Sequence, residues 1–320
     1  MLNDMLQYLI IQLDNTSPSF CHYANGGRQQ LMSVEMLRRA IFFAMTENLI
    51  VQFLVPDTAL PAEYEELMQL VDHSIIAHKG VRSDADAEII EGIPEEEQTE
   101  WDNEGTYIVR TSKEELAGHT AQLARMIIKS RHINVVLTDI ETFSESDFRV
   151  YEKALSDISA IVAESLSAGR RLPQTNILTD RLMLSDMNNC NAGVRSVALM
   201  PDGKFYVCPA FYFDGDYDIS LSDQSIGSLD AGLNISNPYL YGIKHAPICR
   251  VCDAWQCKRC VWLNCKLTND VNTPSHQQCV ISHIERRQGK LLGEKLKITP
   301  EHPIPDLAYD DPFEIANRWK

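Results

Sequence analysis

The stretch CRVCDAWQCKRCVWLNC, residues 249 to 265, places five cysteines in seventeen positions of a 320-residue chain that holds nine in all. Eight of the nine lie between residues 190 and 279. No other feature restricts the fold as strongly, because thiols so crowded must bond to one another or to metal. Cys249/Cys252 and Cys257/Cys260 are two C-x2-C knuckles, each able to aim a pair of thiolates at one metal. Four residues separate them, whereas structural zinc sites usually leave more than about ten. One ion held by both knuckles would need a very tight double turn. The spacing instead sends some of these thiols to a second centre, completed by Cys190, Cys208 and Cys279. Eight cysteines suffice for two four-thiolate sites, and so for two [4Fe–4S] clusters or two zinc ions.

Metal ligation also requires reduced thiols. The opening MLNDMLQYLIIQLDNTS has no basic region, and Gln12 interrupts its short apolar run, so it does not read as a secretory signal. No stretch approaches the roughly 20 apolar residues of a membrane span. A cytoplasmic protein is expected, and in a reducing compartment clustered cysteines serve metals rather than disulfides. The formal net charge of −16, with no basic patch, argues against a nucleic-acid partner. It suits a soluble chain that meets a neutral or basic peptide.

The chain changes character along its length. Residues 1 to 187 read as alternating strands and helices. Strands are expected at 7–13, 49–55, 74–78, 106–111, 133–139 and 175–180. Helices are expected at 33–48 with Ser33 as N-cap, at 61–72, at 113–131 and at 145–166. Such β-α units imply an α/β fold with a mainly parallel sheet. Residues 79–105, carboxylate-rich with one Pro and several Gly, read as an acidic exposed insertion. Residues 188–288 form the Cys-rich region, with turn residues at 201–204, 214–218 and 236–238. Residues 289–320 read as a Pro-rich tail closing in a short helix around Phe313–Trp319.

Two motifs carry a family resemblance. From Cys190 there are twelve residues, Gly203, four residues and Cys208, followed by Cys249-x2-Cys252, Cys257-x2-Cys260 and a distant Cys279. This order resembles the SPASM domain of radical-SAM peptide maturases, whose two auxiliary [4Fe–4S] clusters it implies here. The resemblance assigns Cys190, Cys208 and Cys260 (or Cys265) to one cluster, and Cys249, Cys252, Cys257 and Cys279 to the other. The family's later run is C-x2-C-x5-C-x3-C. Here it is C-x2-C-x4-C-x2-C with Cys265 in addition, which leaves the roles of Cys257, Cys260 and Cys265 open. The segment CKRCVWLN, followed by PSHQQC, resembles the CXXX repeat peptide maturases. The β-α order of the front half resembles the radical-SAM partial (β/α) barrel.

One part of that family pattern is missing. Radical-SAM enzymes carry C-x3-C-x2-C after the first strand, and this loop reads DNTSPSFCHYANGG, with Cys21 alone. Ser17 and Pro18 stand four and three residues before it. His22 and Asp14 are candidate additional ligands, but neither restores the family geometry. The Gly-Gly-Glu-Pro loop after the second strand is VPDTALP here. Cleavage of S-adenosylmethionine is therefore not expected.

Other motifs are weaker. DGDYDISLSD (214–223) lacks the Gly and Glu of a calcium loop, having Ile219 and Ser225 there. No nucleophile elbow, Walker loop or dinucleotide fingerprint is present. His276 and His283, on either side of Cys279, read as surface residues, with tuning of a cluster through hydrogen bonds as the alternative. Trp255 and Trp262 read as shields around the metals. The expected function is maturation of a Cys-rich, ribosomally made precursor peptide by a SPASM-like iron–sulfur protein. The alternative is a non-catalytic peptide-binding or scaffold subunit with structural zinc or iron–sulfur sites, working beside a separate modifying enzyme.

Overall fold

The computed structural model describes residues 6–26, 28–95, 101–184, 186–213 and 224–298. The acidic turns of 214–223 and the Pro-rich residues 299–320, including the helix expected near Phe313, lie outside the described residues.

Eleven strands are present among these residues: β1 (Tyr8–Gln12), β2 (Ile50–Leu54), β3 (His73–His78), β4 (Ala87–Glu91), β5 (Thr106–Thr111), β6 (His132–Leu137), β7 (Gln174–Thr175), β8 (Ser196–Leu199), β9 (Phe205–Tyr206), β10 (Gly227–Ser228) and β11 (Gly232–Leu233). The helices are α1 (Val34–Thr46), α2 (Ala62–Met68), α3 (Lys113–Gly118), α4 (Thr120–Lys129), α5 (Glu145–Ser167), α6 (Asp180–Met183), α7 (Ala210–Phe213), α8 (Val261–Thr268) and α9 (His276–Leu296). Nine strands form one mostly parallel sheet in the order β7-β6-β5-β4-β3-β2-β1-β8-β9, and β10 and β11 form a separate antiparallel pair. The α/β architecture with β-α units is the expected one. No helix among the described residues is long and apolar enough to cross a membrane.

The chain forms two compact units that are not sequential halves. The first comprises residues 1–90, 106–108 and 191–245, and the second 91–105, 109–190 and 246–320. In the first unit β1 pairs in parallel with β2 on one side and β8 on the other. A central parallel strand covered on both faces is expected to be mostly apolar. Leu9 and Ile11 are fully buried and Ile10 nearly so. Ser33 caps α1 by accepting a hydrogen bond from Met36 N–H.

In the second unit α5 packs against α4 and α9. Its start is fixed by a capping box in which Ser144 and Asp147 exchange backbone and side-chain hydrogen bonds. Lys113 Nζ adds an ion pair to Asp147 at 2.9 Å.

Several segments differ from the sequence expectation. Ala87–Glu91, inside the stretch read as an acidic insertion, is a sheet strand, because Ile89 and Ile90 supply buried side chains between the carboxylates. The helix expected over 113–131 divides at His119, whose backbone leaves the helical region (φ −125°, ψ 32°) just after Gly118. The strand expected at 175–180 is only two residues long. Thr179 Oγ1 accepts from Thr175 N–H and donates to Pro173 O, curling the chain into a turn before α6. Residues 289–296, read as tail, complete α9.

Two outcomes follow. A Cβ at Gly289 on α9 would stand 2.4 Å from the Leu178 carbonyl oxygen. Backbone cannot yield as a side chain can, so Gly289→Ala should lower unfolding free energy by about 1–3 kcal/mol in denaturant titration. Asp147 is held down from 3.8 to about 2 by Lys113 and by the Ser144 hydrogen bonds. A depressed carboxyl stabilises the fold above its unfolded pKa and loses that effect as pH falls toward the folded one. Wild-type protein should therefore lose stability between about pH 4 and pH 2 through this group, and thermal unfolding of Asp147→Asn should show a shallower acid dependence over that range.

Candidate metal centre

Residues 249–260 contain almost no regular structure, so side-chain and backbone hydrogen bonds must hold the knuckles in place. Cys249–Val251 is a single 3-10 turn. Cys252 Sγ accepts a hydrogen bond from Ala254 N–H at 3.4 Å, and Cys257 Sγ accepts one from Arg259 N–H at 3.4 Å. Both bonds run from the residue two positions on, which folds each turn over its sulfur. Peptide N–H groups aimed at sulfur favour the thiolate form.

Neighbouring segments fix this stretch. Asn188 N–H donates to Trp255 O and Cys190 N–H to Lys258 O. Arg181 on α6 donates from Nε to Asp253 O and from Nη2 to Asp253 Oδ2. Arg286 on α9 reaches Asp253 Oδ1 at 2.5 Å. Burial raises the Asp253 pKa, but Arg286 and Arg181 outweigh it and leave the carboxylate charged. Gln256 Nε2 donates to Ser282 O on α9 at 2.6 Å. Tyr151 OH donates to Glu285 Oε1 at 2.9 Å, and burial pushes that carboxyl up to about 7.

These constraints bring four of the expected ligands to one cavity. Cys249, Cys252, Cys257 and Cys279 line it together with Met187, Ala254, Arg259 and His283. Its non-atom space is about 370 Å³ including the mouth. Cys279 arrives from the first turn of α9, distant from the two knuckles in sequence but on the same cavity wall. Burial, followed by repulsion from Cys257, pushes the Cys249 thiol up to about 12. Burial pushes Cys252 up to about 11 and raises Cys257 as well. Raised thiols of this kind favour the protonated form, and a bound cation would oppose that shift. Among the described residues no group of three or more His, Cys, Asp or Glu side chains is drawn tightly enough to hold a single metal ion.

The other expected ligands are placed as follows. Cys190 is exposed, while Cys260, at the start of α8, and Cys265, on α8, are buried. These three belong to the second unit and Cys208 to the first. Burial and then Asp270 push the Cys265 thiol up to about 11.

Two residues outside the expected ligand set belong to the cavity wall. His283 is 6% exposed, and its Nε2 lies 3.6 Å from Cys252 Sγ. That corrects its reading as a surface residue, whereas His276 is half exposed beside Glu145. The i, i+4 spacing from Cys279 to His283 on a helix is the signal that points to it. Arg259 is 1% exposed, and nothing in CKRC distinguishes it from an ordinary surface cation. Trp255 and Trp262 are both buried.

The loop after β1 is built differently. Gln12 Nε2 donates to Asp14 O and Ser17 O, and Asp14 N–H donates to Ser17 Oγ. Asp14 Oδ1 accepts from Thr16 N–H and Oγ1, while Asn25 Nδ2 donates to Thr16 O and Ser17 O. Ser17, at the position four before Cys21, is fully buried within this network. Cys21 N–H donates to Ser19 Oγ at 3.4 Å. Side-chain hydrogen bonds thus hold the shape of a loop that offers one thiol.

No protein-family model matches this sequence, and no curated protein matches it. Solved structures do resemble it, two of them as follows. One is a hexahistidine-tagged anSMEcpe with bound AdoMet, with TM-score 0.56 at 11% identity, over 91% of this chain and 98% of that one. The other is Streptococcus suis SuiB bound to precursor peptide SuiA, with TM-score 0.47 at 12% identity, over 86% and 76%. The first likeness extends over nearly the whole of both chains and establishes that this chain shares that overall α/β fold.

Proposed function

We propose that this chain is a SPASM-like iron–sulfur protein acting in the maturation of a Cys-rich, ribosomally made peptide, without cleavage of S-adenosylmethionine. The observation that carries this reading is the cavity ringed by Cys249, Cys252, Cys257 and Cys279. Its donor set suits such a group: four thiols, two of them already receiving peptide N–H groups, and apolar neighbours that limit water. When bound, a cluster supplies a one-electron reservoir, or an iron to which a peptide thiolate attaches. Cys190 and Cys260 (or Cys265) are proposed donors of a second centre. The net charge of −16 favours a neutral or basic peptide over a polyanion.

A second reading is favoured by the loop after β1. Its buried hydrogen bonds occupy the place where a radical initiator would need three thiolates. A chain without that initiator can serve as a non-catalytic peptide-binding subunit with structural metals, beside a separate modifying enzyme.

Anaerobic purification with iron and acid-labile sulfide analysis should give about eight of each per chain. Zinc alone, about two per chain, would remove the redox version in favour of the structural one. Cys279→Ser should lower iron by about half, whereas Cys21→Ser should leave it unchanged. Incubation with S-adenosylmethionine and a strong reductant should yield no 5′-deoxyadenosine, and its production would overturn the account of the loop.

A further inference from the structure

Arg259 is unusual in both backbone and side chain. Its φ is +44°, in the left-handed region that glycine adopts readily and a long side chain does not. Its position in the knuckle requires that turn, because Arg259 N–H is the donor to Cys257 Sγ. Glycine would make the same turn with less strain, so the arginine side chain has a role that offsets the cost.

That side chain is 1% exposed and is the largest fully buried one among the described residues. Nε donates to Asn189 Oδ1 and Nη1 to Asn272 Oδ1, each at 3.0 Å. Both acceptors are neutral amides that orient the guanidinium without cancelling its charge. The group lines the same cavity as Cys249, Cys252, Cys257 and Cys279. Asn189 adjoins Cys190 in sequence, so one arginine is tied to both expected ligand groups.

Taking the cavity as a metal centre, the reading on which this inference rests, we propose that Arg259 is its charge-compensating and positioning residue. The buried guanidinium offsets the negative charge of metal-bound thiolates, while its backbone N–H orients Cys257. A fixed positive charge beside an anionic cluster favours the reduced state, which carries one more negative charge.

The test compares full-length, anaerobically prepared wild type with Arg259→Gly, Arg259→Gln and Arg259→Lys. Metal content is measured first, followed by redox titration monitored by electron paramagnetic resonance. Arg259→Gly keeps the N–H and relaxes the backbone, so it removes the side chain while sparing the donor to Cys257, and Arg259→Gln removes the charge while keeping part of the volume. The glycine and glutamine variants should bind iron but shift one centre to lower potential by at least a tenfold change in the oxidised-to-reduced ratio, about 59 mV for one electron. Arg259→Lys should remain within about threefold of wild type on the same scale. Iron-loaded glycine and glutamine variants with unchanged potentials would overturn the role of Arg259 while leaving the metal centre intact. If those two variants lose metal, retention by Arg259→Lys supports the charge, and equal loss there overturns it. If the metal is zinc, the readout is chelator competition: affinity at least tenfold weaker in Arg259→Gly and kept in Arg259→Lys supports the proposal, and equal affinities overturn it. Wild type that binds neither iron nor zinc would overturn the metal-centre reading itself, and this inference with it.

Discussion

The Cys-rich segment is held chiefly through one carboxylate. Asp253 lies between the two knuckles, where the backbone has neither helix nor strand to support it. Arg181 and Arg286 grip its two oxygens from α6 and α9, and Arg181 also takes its carbonyl. Truncating one partner of such a part-buried network leaves the others unbalanced, which costs far more than an exposed ion pair is worth. The clamp has a further effect. α9 carries Cys279 and His283, so fixing Asp253 to Arg286 also sets where the fourth cavity thiol stands relative to Cys252.

The two cysteine-bearing regions solve the same mechanical problem by different means. A loop that departs from a strand end must satisfy its backbone groups once they leave water. The loop after β1 does so with the side chains of Gln12, Asp14, Ser17 and Asn25. The knuckle segment instead turns its N–H groups toward sulfur. Such bonds are weak with thiols and strong with thiolates, so this segment reaches full strength only when the sulfurs are ionised.

Much of the sheet is legible because each strand and helix repeats its own period. Ser33 reads as an N-cap and accepts from Met36 N–H as one, and β5 occupies the expected span. What escapes the sequence depends on tertiary context. β4 has only two well-buried apolar residues, Ile89 and Ile90, among charges, too few for alternation to stand out. The strand expected at 175–180 stops short because the Thr179 hydroxyl, invisible to any hydrophobic pattern, turns the chain. In the candidate site, knuckle spacing and the distant Cys279 point to cysteines that line one cavity. His283 is marked only by its i, i+4 spacing from Cys279, and Arg259 is not legible as a wall residue at all, since a sequence shows charge but not the amides and sulfurs that justify burying it.

The division of the chain into compact units has a consequence for where it can be cut. β8, at Ser196–Leu199, follows Cys190 in sequence yet lies beside β1 in the sheet and in the same compact unit. A chain ending at residue 187 would leave β1 with an open hydrogen-bonding edge at what is otherwise a buried central strand, an invitation to pairing between molecules. The first two hundred residues are thus the shortest stretch that closes this sheet around its central strand.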